Sequence, residues 1–406
     1  MRAVARGLLL LLAFAIPWEY SLDFGVPLGN IARLIGVALL IVATPAMLQS
    51  GAARRPGAMH WLVVALFLWF CCTYFWTLEP GDTLERLRGY FQEMAIVWLV
   101  WEFAEGARDL RALLRAWLLG EWVLAVLTGV SLAWVVAHGG AQIRFVAVDQ
   151  DPNDVARYLD LGFPVAALLL DGERHRLGRI FALGYFPVGL AAVLITGSRG
   201  GFAAAVVALS GCGAALLMRH RRSMWSVLAA VPVVCGALWF VVPQETLARI
   251  ATITEQVQGG DLNQRVNIWE AGWRAFTQAP FLGHGAGSFV SAAGLATIDT
   301  AHNTALSIAV EAGICGVALM TAIVAMALYA ALKMRGATRI LLVTWLTVWI
   351  MTSMVGTTTG SRTTWLLFGV IALMGRVYGT ATNGEAKSAF GAATCATGLL
   401  NSGEAR

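Results

Sequence analysis

Apolar runs of about twenty residues, broken by short arginine-bearing segments, recur along this chain almost from end to end. In hydrocarbon every backbone N–H and C=O must be paired internally, so such runs are either helices or strands of a closed barrel, and their lack of strict alternation selects helices. Twelve spans are read, centred on residues 7–24, 28–48, 59–78, 89–104, 110–136, 155–170, 180–196, 200–218, 224–242, 303–330, 340–356 and 363–378. The expected fold is therefore an all-α polytopic membrane protein of about twelve transmembrane helices with one external helical loop domain. The 13% of charged residues is about half of what a soluble domain carries, which agrees. Ala13-Phe14-Ala15 has the small-x-small form of a signal-peptidase site, but the apolar region before it is short and the first run is read as a span.

Short cytoplasmic loops collect Lys and Arg, which tests the threading. With the N-terminus inside, nineteen basic residues fall on the inner side and nine on the outer, while Arg33 stays within the second span. Both termini are thus expected in the cytoplasm. The net charge of +5 reflects topology rather than nucleic-acid binding, and no nucleic-acid partner is expected. Four segments follow: nine spans over 1–242, an external loop with two short helices over 243–302, three spans over 303–378, and a disordered cytoplasmic tail over 379–406, low in apolar periodicity. Of the six cysteines, Cys71, Cys72, Cys212, Cys235 and Cys315 lie in apolar runs and Cys395 in the tail, where neither a disulfide staple nor a CxxC metal site is useful.

The nine outer basic residues are all arginines. A planar five-donor fork suits bidentate phosphate contact, whereas orientation or solubility would be served as well by lysine. For Arg86, Arg88 and Arg249 salt bridging to nearby acids is the plainer account.

Three outer places carry more specific chemistry. At Arg144 to Asn153 an arginine precedes Asp151-Pro152-Asn153, with Asn153 or Asp154 expected to cap the sixth span; a cap accounts for Asn153 more simply than a ligand contact does. Arg157 and Asp160 lie three apart within that span and are expected to pair, although an intramembrane charge is also a site candidate. At Thr196-Gly197-Ser198-Arg199-Gly200-Gly201 a turn too short to project outward puts Arg199 at the membrane surface beside a helix N-terminus, a natural anion site. The third place is the 243–302 loop, where helices are expected over 244–257 and 262–278. Arg265, Trp269 and Gly272 or Trp273 share one face of the second, which is expected to lie in the headgroup layer. His284 reads as a loop residue; His302 and Asn303 stand where the loop enters the tenth span. Glu311, Glu93, Glu102 and Glu121 are expected to pair inside the bundle. In the outer loops Asp149-Gln150-Asp151 is the one Asp-x-Asp pair spaced for a divalent ion, and the sequence requires no metal or other cofactor.

The order of these segments resembles the O-antigen ligase and polymerase superfamily of membrane glycosyltransferases. The resemblance covers most of the chain and rests on the spans, the Arg144 to Asn153 segment, Thr196-Gly197-Ser198-Arg199-Gly200, Arg265-x-x-x-Trp269 leading to Pro280-Phe281-Leu282-Gly283-His284-Gly285, and the His-Asn-x9-Gly-x-x-Gly pattern from His302 and Asn303 to Gly313 and Gly316. It implies a bacterial inner-membrane enzyme with a periplasmic active site, a donor glycan on undecaprenyl pyrophosphate, a sugar of lipid A-core as acceptor in the ligase branch, and no cofactor. Arg199 and Arg265 would stabilise the leaving pyrophosphate, with Arg144 and Arg362 as lesser candidates, and His302 would act as general base with Asn303 positioning it or a sugar. A protonated His302 bound to phosphate is the competing role. Asn153, Arg157 and Trp269 complete the candidate substrate contacts. The alternatives are a polymerase of the same lipid-linked glycan, ligation to protein, and a transporter or flippase of the lipid-linked sugar.

Overall fold

A computed structural model describes residues 1–25, 28–50, 53–140, 142–147, 150–171, 173, 175–219, 236–252, 265–296 and 300–379. Its helices are α1 (Arg2–Ala15, continued by a 3₁₀ stretch Ile16–Ser21), α2 (Ile31–Ser50), α3 (Ala58–Thr73), α4 (Pro80–Phe103), α5 (Ala107–Ala137), α6 (Pro152–Leu170), α7 (Arg176–Ile195), α8 (Arg199–Arg219), α9 (Gln244–Ala251), α10 (Arg265–Gln278), α11 (Phe289–Ala293), α12 (Thr304–Lys333), α13 (Gly336–Ser353) and α14 (Arg362–Gly379). The chain is an all-α, multi-pass membrane protein; the strand-like pairing described is one bridge between Asp23 and Asn30. Eleven of the twelve expected spans have a helix, and most of the 224–242 span lies outside the described residues. So do the tail beyond Gly379, Asp149, and the ends of the two loop helices expected over 244–257 and 262–278.

Among the described residues, seven helices are long and apolar enough to cross a bilayer by composition. The long helices that fall short are α4, whose first turns are mostly exposed, and the interior pair α6 and α14. α6 is buried continuously from Val155 to Leu169 and α14 from Arg362 to Ile371, so protein surrounds them and polar side chains are tolerated there. Close approach depends on small residues, as is usual between helices in membranes. On α8, Gly201, Ala204, Ala205, Ala208 and Cys212 are buried, and a Cβ on Gly211 would lie 2.8 Å from Cβ of Thr344 on α13.

The two ends of the bundle differ in how their charges are used. At the Arg2 end, basic residues are matched: Arg2 bonds Glu102 (2.8 Å), Arg6 reaches Glu105 (3.2 Å) and Asp109 (3.4 Å), Arg219 pairs with Asp171, and Arg376 donates to the Trp101 carbonyl (2.7 Å). These residues come from the start of α1, both sides of the α4–α5 loop, the α6–α7 loop and the ends of α8 and α14, which alternate threading would place together. Glu102 pairs as expected. Glu121, in contrast, accepts from Trp117 of its own helix (2.8 Å), and Arg157 binds Asp154 (3.1 Å) instead of Asp160, whose two oxygens have no hydrogen-bond partner among the described residues. In a helix, residue i−3 lies beside residue i as readily as i+3, and the acid nearer the helix end won.

α12 carries the main departure from regularity. At Gly313 the backbone turns to φ 63°, ψ −166°, a region open essentially to glycine alone, and the helix breaks. An unbroken helix would direct the Ile314 N–H to the Val310 carbonyl. Here Ile314 donates to the Pro280 carbonyl (2.8 Å), while the Val310 and Glu311 carbonyls accept from His284 (2.8 Å) and Gly285 (2.9 Å), and that of Ala312 accepts from Trp69 Nε1 (2.8 Å). The segment 280–285 is therefore laid into the break and satisfies the groups that it frees. Gly283 has to be glycine for the same reason: its φ is +72° and a Cβ would lie 2.5 Å from the Glu311 carbonyl.

Candidate active site

The site grows from the turn that joins α7 to α8 at the His302 end. Gly197 takes φ +61°, and a Cβ there would meet the Ile143 carbonyl oxygen at 3.2 Å and Arg144 Cγ at 3.3 Å, so the turn can press against residues 143–145. Phe145 N–H donates to the Ile195 carbonyl (3.2 Å), Arg144 Nε to that of Thr196 (3.3 Å), and Arg249 Nε, from α9, to that of Gly197 (3.2 Å). Thr246 Oγ1 donates to the Ile143 carbonyl (2.9 Å) and ties α9 to the same segment.

The helix cap of α6 is Asp151, which accepts from the Asn153 N–H (2.6 Å), rather than Asn153 or Asp154. Pro152 at the first helical position makes the residue before it the cap, and that frees Asn153 for another task. Its Oδ1 accepts from Arg144 Nη2 (3.1 Å) and from Ser198 Oγ (2.8 Å), so one amide fixes both an arginine and the turn.

Arg199 opens α8 and Arg265 opens α10. Among the described residues none of Arg144, Arg199, Arg249 and Arg265 forms a salt bridge. Burial, and then the charges of Arg249, Arg265 and Arg199, push Arg144 down to about 10 against the opposing pull of Asp151. Burial and Arg199 also lower Arg249; Arg265 is lowered by burial and by Arg199, with Asp151 and Asp154 resisting. Four guanidiniums held together against their own repulsion make a site for a multiply charged anion. Arg249, for which salt bridging was the plainer expectation, belongs to this group.

His302 is the one non-glycine described residue with positive φ, 44°. That conformation costs on the order of 1 kcal/mol and is held from both sides. Trp269 Nε1 of α10 donates to the Ala301 carbonyl (3.1 Å), and Asn303 caps α12 by accepting from the Leu306 N–H (3.0 Å). Arg265 and Trp269, one turn apart on α10, thus link the arginine group to the backbone at His302. Trp273 is exposed and Gly272 packs on Leu306 and Phe289. His284, expected as a simple loop residue, bonds the Ala275 carbonyl through Nε2 (2.8 Å) and seats the loop laid into α12.

The segment joining α13 to α14 closes the assembly and had no assigned role. Thr304 Oγ1 donates to the Gly356 carbonyl (2.9 Å) and accepts from the Thr358 N–H (2.8 Å); a Cβ on Gly356 would lie 3.5 Å from Arg157 Nη1, and one on Gly200 would lie 3.2 Å from Val355. The starts of α6, α8 and α12 converge on it. Its sequence signal was present, a polar Thr357-Thr358-Thr359-Gly360-Ser361 run between apolar ones. Arg362, at the end of that run, is buried and paired with Glu19, apart from the four arginines.

A search of curated proteins finds no match to the chain. The family model described as O-antigen ligase matches residues 185–321, which hold Arg199, Arg249, Arg265, Trp269, His302, Asn303 and the break at Gly313. With the multi-pass helical fold, that match over about a third of the chain supports membership of the O-antigen ligase superfamily of membrane glycosyltransferases, of ligase and polymerase type.

Proposed function

We propose that the chain transfers a glycan from undecaprenyl pyrophosphate to a sugar hydroxyl of lipid A-core, at the periplasmic face of the bacterial inner membrane. One observation carries the reading: four guanidiniums without a carboxylate partner among the described residues gather around one turn at the end of the bundle that also holds His302. In this reaction the acceptor oxygen attacks the anomeric carbon, the bond from that carbon to the pyrophosphate oxygen breaks, and the electron pair leaves with the pyrophosphate. Arg199 and Arg265, supported by Arg144 and Arg249, meet the charge that develops, and each charge-assisted bond contributes on the order of 1.5–3 kcal/mol. The acceptor proton passes to the His302 imidazole. A single displacement inverts the anomeric centre. The cluster supplies the positive charge that a divalent ion would otherwise bring, so the reaction is metal-independent in this scheme.

The test is reconstitution of the full chain with lipid-linked glycan and lipid A-core in the presence of a chelator, comparing wild type with His302→Ala and Arg199→Ala. Transfer to core by wild type alone supports the reading. Longer lipid-linked glycan with unmodified core assigns a polymerase, and a retained anomeric configuration refutes the single displacement. If His302 serves as general base, activity rises with pH through the histidine range; a phosphate-binding imidazolium gives the opposite slope.

The broken helix α12 is the feature that favours a transporter of lipid-linked sugar, because discontinuous helices line transporter sites. Its break is filled by the backbone of residues 280–285 instead of facing a cavity, which favours the enzyme.

A further inference from the structure

Across the 354–361 segment from the four arginines lies a second, different pocket, a polar cavity of about 490 Å³. It is bounded by Tyr20, by Asn30 and Arg33 at the start of α2, by the first turns of α4 from Asp82 to Glu93, and by Gly287, Gly360 and Arg362. A groove of about 560 Å³ shares Arg33, Glu85, Gly89 and Arg362 with it and continues past Arg88 and Gln92.

Three observations identify the ligand and a fourth fixes where it lies. Glu93 is 7% exposed, lines the cavity, and its Oε2 has no hydrogen-bond partner among the described residues. A buried carboxylate oxygen in that condition is costly unless a bound molecule supplies a donor. Gly360 keeps the approach open, since a Cβ there would stand 3.4 Å from Arg86 Nη1 and 3.9 Å from Glu93 Oε2. The lining is also mixed in sign and leans acidic: Arg33, Arg86 and Arg362 face Asp23, Asp82, Glu85 and Glu93, and Glu19 neutralises Arg362 from behind, so the cavity disfavours an anion and offers acceptors to hydroxyl donors. The arginine cluster, with its cations unmatched, suits phosphate; a wall of alternating donors and acceptors suits a neutral molecule rich in hydroxyls. Finally, Thr358 N–H donates to Thr304 Oγ1 (2.8 Å), so the segment that roofs the cavity at Gly360 is fastened two residues beyond His302.

We infer that this cavity binds a neutral saccharide, the sugar units of the acceptor, and so places the attacking hydroxyl on the side of His302 opposite the pyrophosphate arginines. The inference rests on the transfer reading above. The donor glycan has the same chemistry, and kinetics separate the two sources. With the reconstituted full chain, the acceptor is varied at saturating donor and the donor at saturating acceptor, in wild type, Glu93→Gln and the exposed cavity-mouth variant Asp82→Asn.

The expected result is an acceptor KM raised about ten-fold in Glu93→Gln, the effect of one lost charge-assisted bond, with donor KM unchanged and a smaller rise in the same direction for Asp82→Asn. A raised donor KM with acceptor KM unchanged overturns the assignment, as does no change in either. Asp82→Asn decides the matter if Glu93→Gln does not fold. If the wild type transfers nothing, the transfer reading falls, and calorimetric titration of the full chain with delipidated core oligosaccharide decides the cavity separately. Binding by wild type that weakens about ten-fold in Glu93→Gln upholds the saccharide site, and equal binding or none refutes it.

Discussion

Gly313→Ala tests whether the seam between α12 and the 280–285 segment holds the site together. At φ 63° and ψ −166° a Cβ would stand 2.5 Å from the Phe281 carbonyl carbon and 2.8 Å from the Leu282 nitrogen. Both obstacles are backbone, so no rotamer change relieves them. The conformation alone costs an alanine about 1–3 kcal/mol, and displacing the segment would add the hydrogen bonds from His284, Gly285 and Ile314, each about 1 kcal/mol. A total of about 4–6 kcal/mol is expected, equivalent to a fall in apparent melting temperature on the order of 5 °C for a chain of this size. The assay is thermal unfolding of purified full-length protein in detergent at fixed scan rate, with Gly7→Ala as the control, because a Cβ on Gly7 meets nothing within 4 Å. Glycosyl transfer should fall with stability, since the displaced segment carries His284, whose imidazole seats it on α10. A Gly313→Ala protein as stable and active as Gly7→Ala would refute the reasoning and show that the break is incidental.

Asn153→Asp keeps both acceptor contacts, to Arg144 and Ser198, and adds a negative charge among four cations. It should raise the melting temperature of the unliganded protein while weakening inorganic pyrophosphate binding about ten-fold by calorimetry; tighter binding would exclude an anion role for the cluster. Trp269→Phe removes the donor to the Ala301 carbonyl and keeps the ring. Transfer kcat should fall about ten-fold with donor KM nearly unchanged, and a pure KM effect would assign Trp269 to binding instead. Arg144 has its folded pKa depressed to about 10, below the ordinary arginine value, so the folded state releases this proton first as pH rises. Stability therefore climbs with pH above 10 up to the unfolded value, while pyrophosphate affinity declines over the same window; titrations on either side of pH 10 that agree with one another would contradict the depressed value.

The bundle was legible because backbone pairing in lipid allows few solutions, and because the arginine asymmetry reports which helix ends share a face. The pairing of Arg2, Arg6, Arg54, Arg219 and Arg376 at one end follows that asymmetry. What escaped were details decided by one competing neighbour. Pro152 at the first helical turn moved the cap from Asn153 to Asp151, and so changed Asn153 from a local cap into a bridge between Arg144 and Ser198. Arg157 had acids on both sides along its helix, and choosing Asp154 over Asp160 requires knowing which lies toward the open end. Arg249 was read as balanced by nearby acids because sequence distance says nothing of a carbonyl presented by a turn about fifty residues earlier.

The His302-to-Gly313 spacing shows why a motif can be visible before its physics is. Asn303 caps the helix that begins at Thr304, and Gly313 ends its first half about 14 Å further on at the usual rise per residue. The motif is thus a short, capped half-helix with a glycine hinge below it. Such a piece has no continuous helix to set its direction, so something else must, and the loop supplies it: Pro280, His284 and Gly285 bond the broken end, while Trp269 holds the carbonyl before His302 at the other. Arg265 sits one turn ahead of Trp269 on α10. The same helix therefore sets both the histidine and an arginine of the anion site. A displacement that must put an acceptor hydroxyl and a leaving pyrophosphate on opposite sides of one carbon requires the two groups to be fixed relative to each other, and a shared rigid element meets that requirement more directly than two independent loops could.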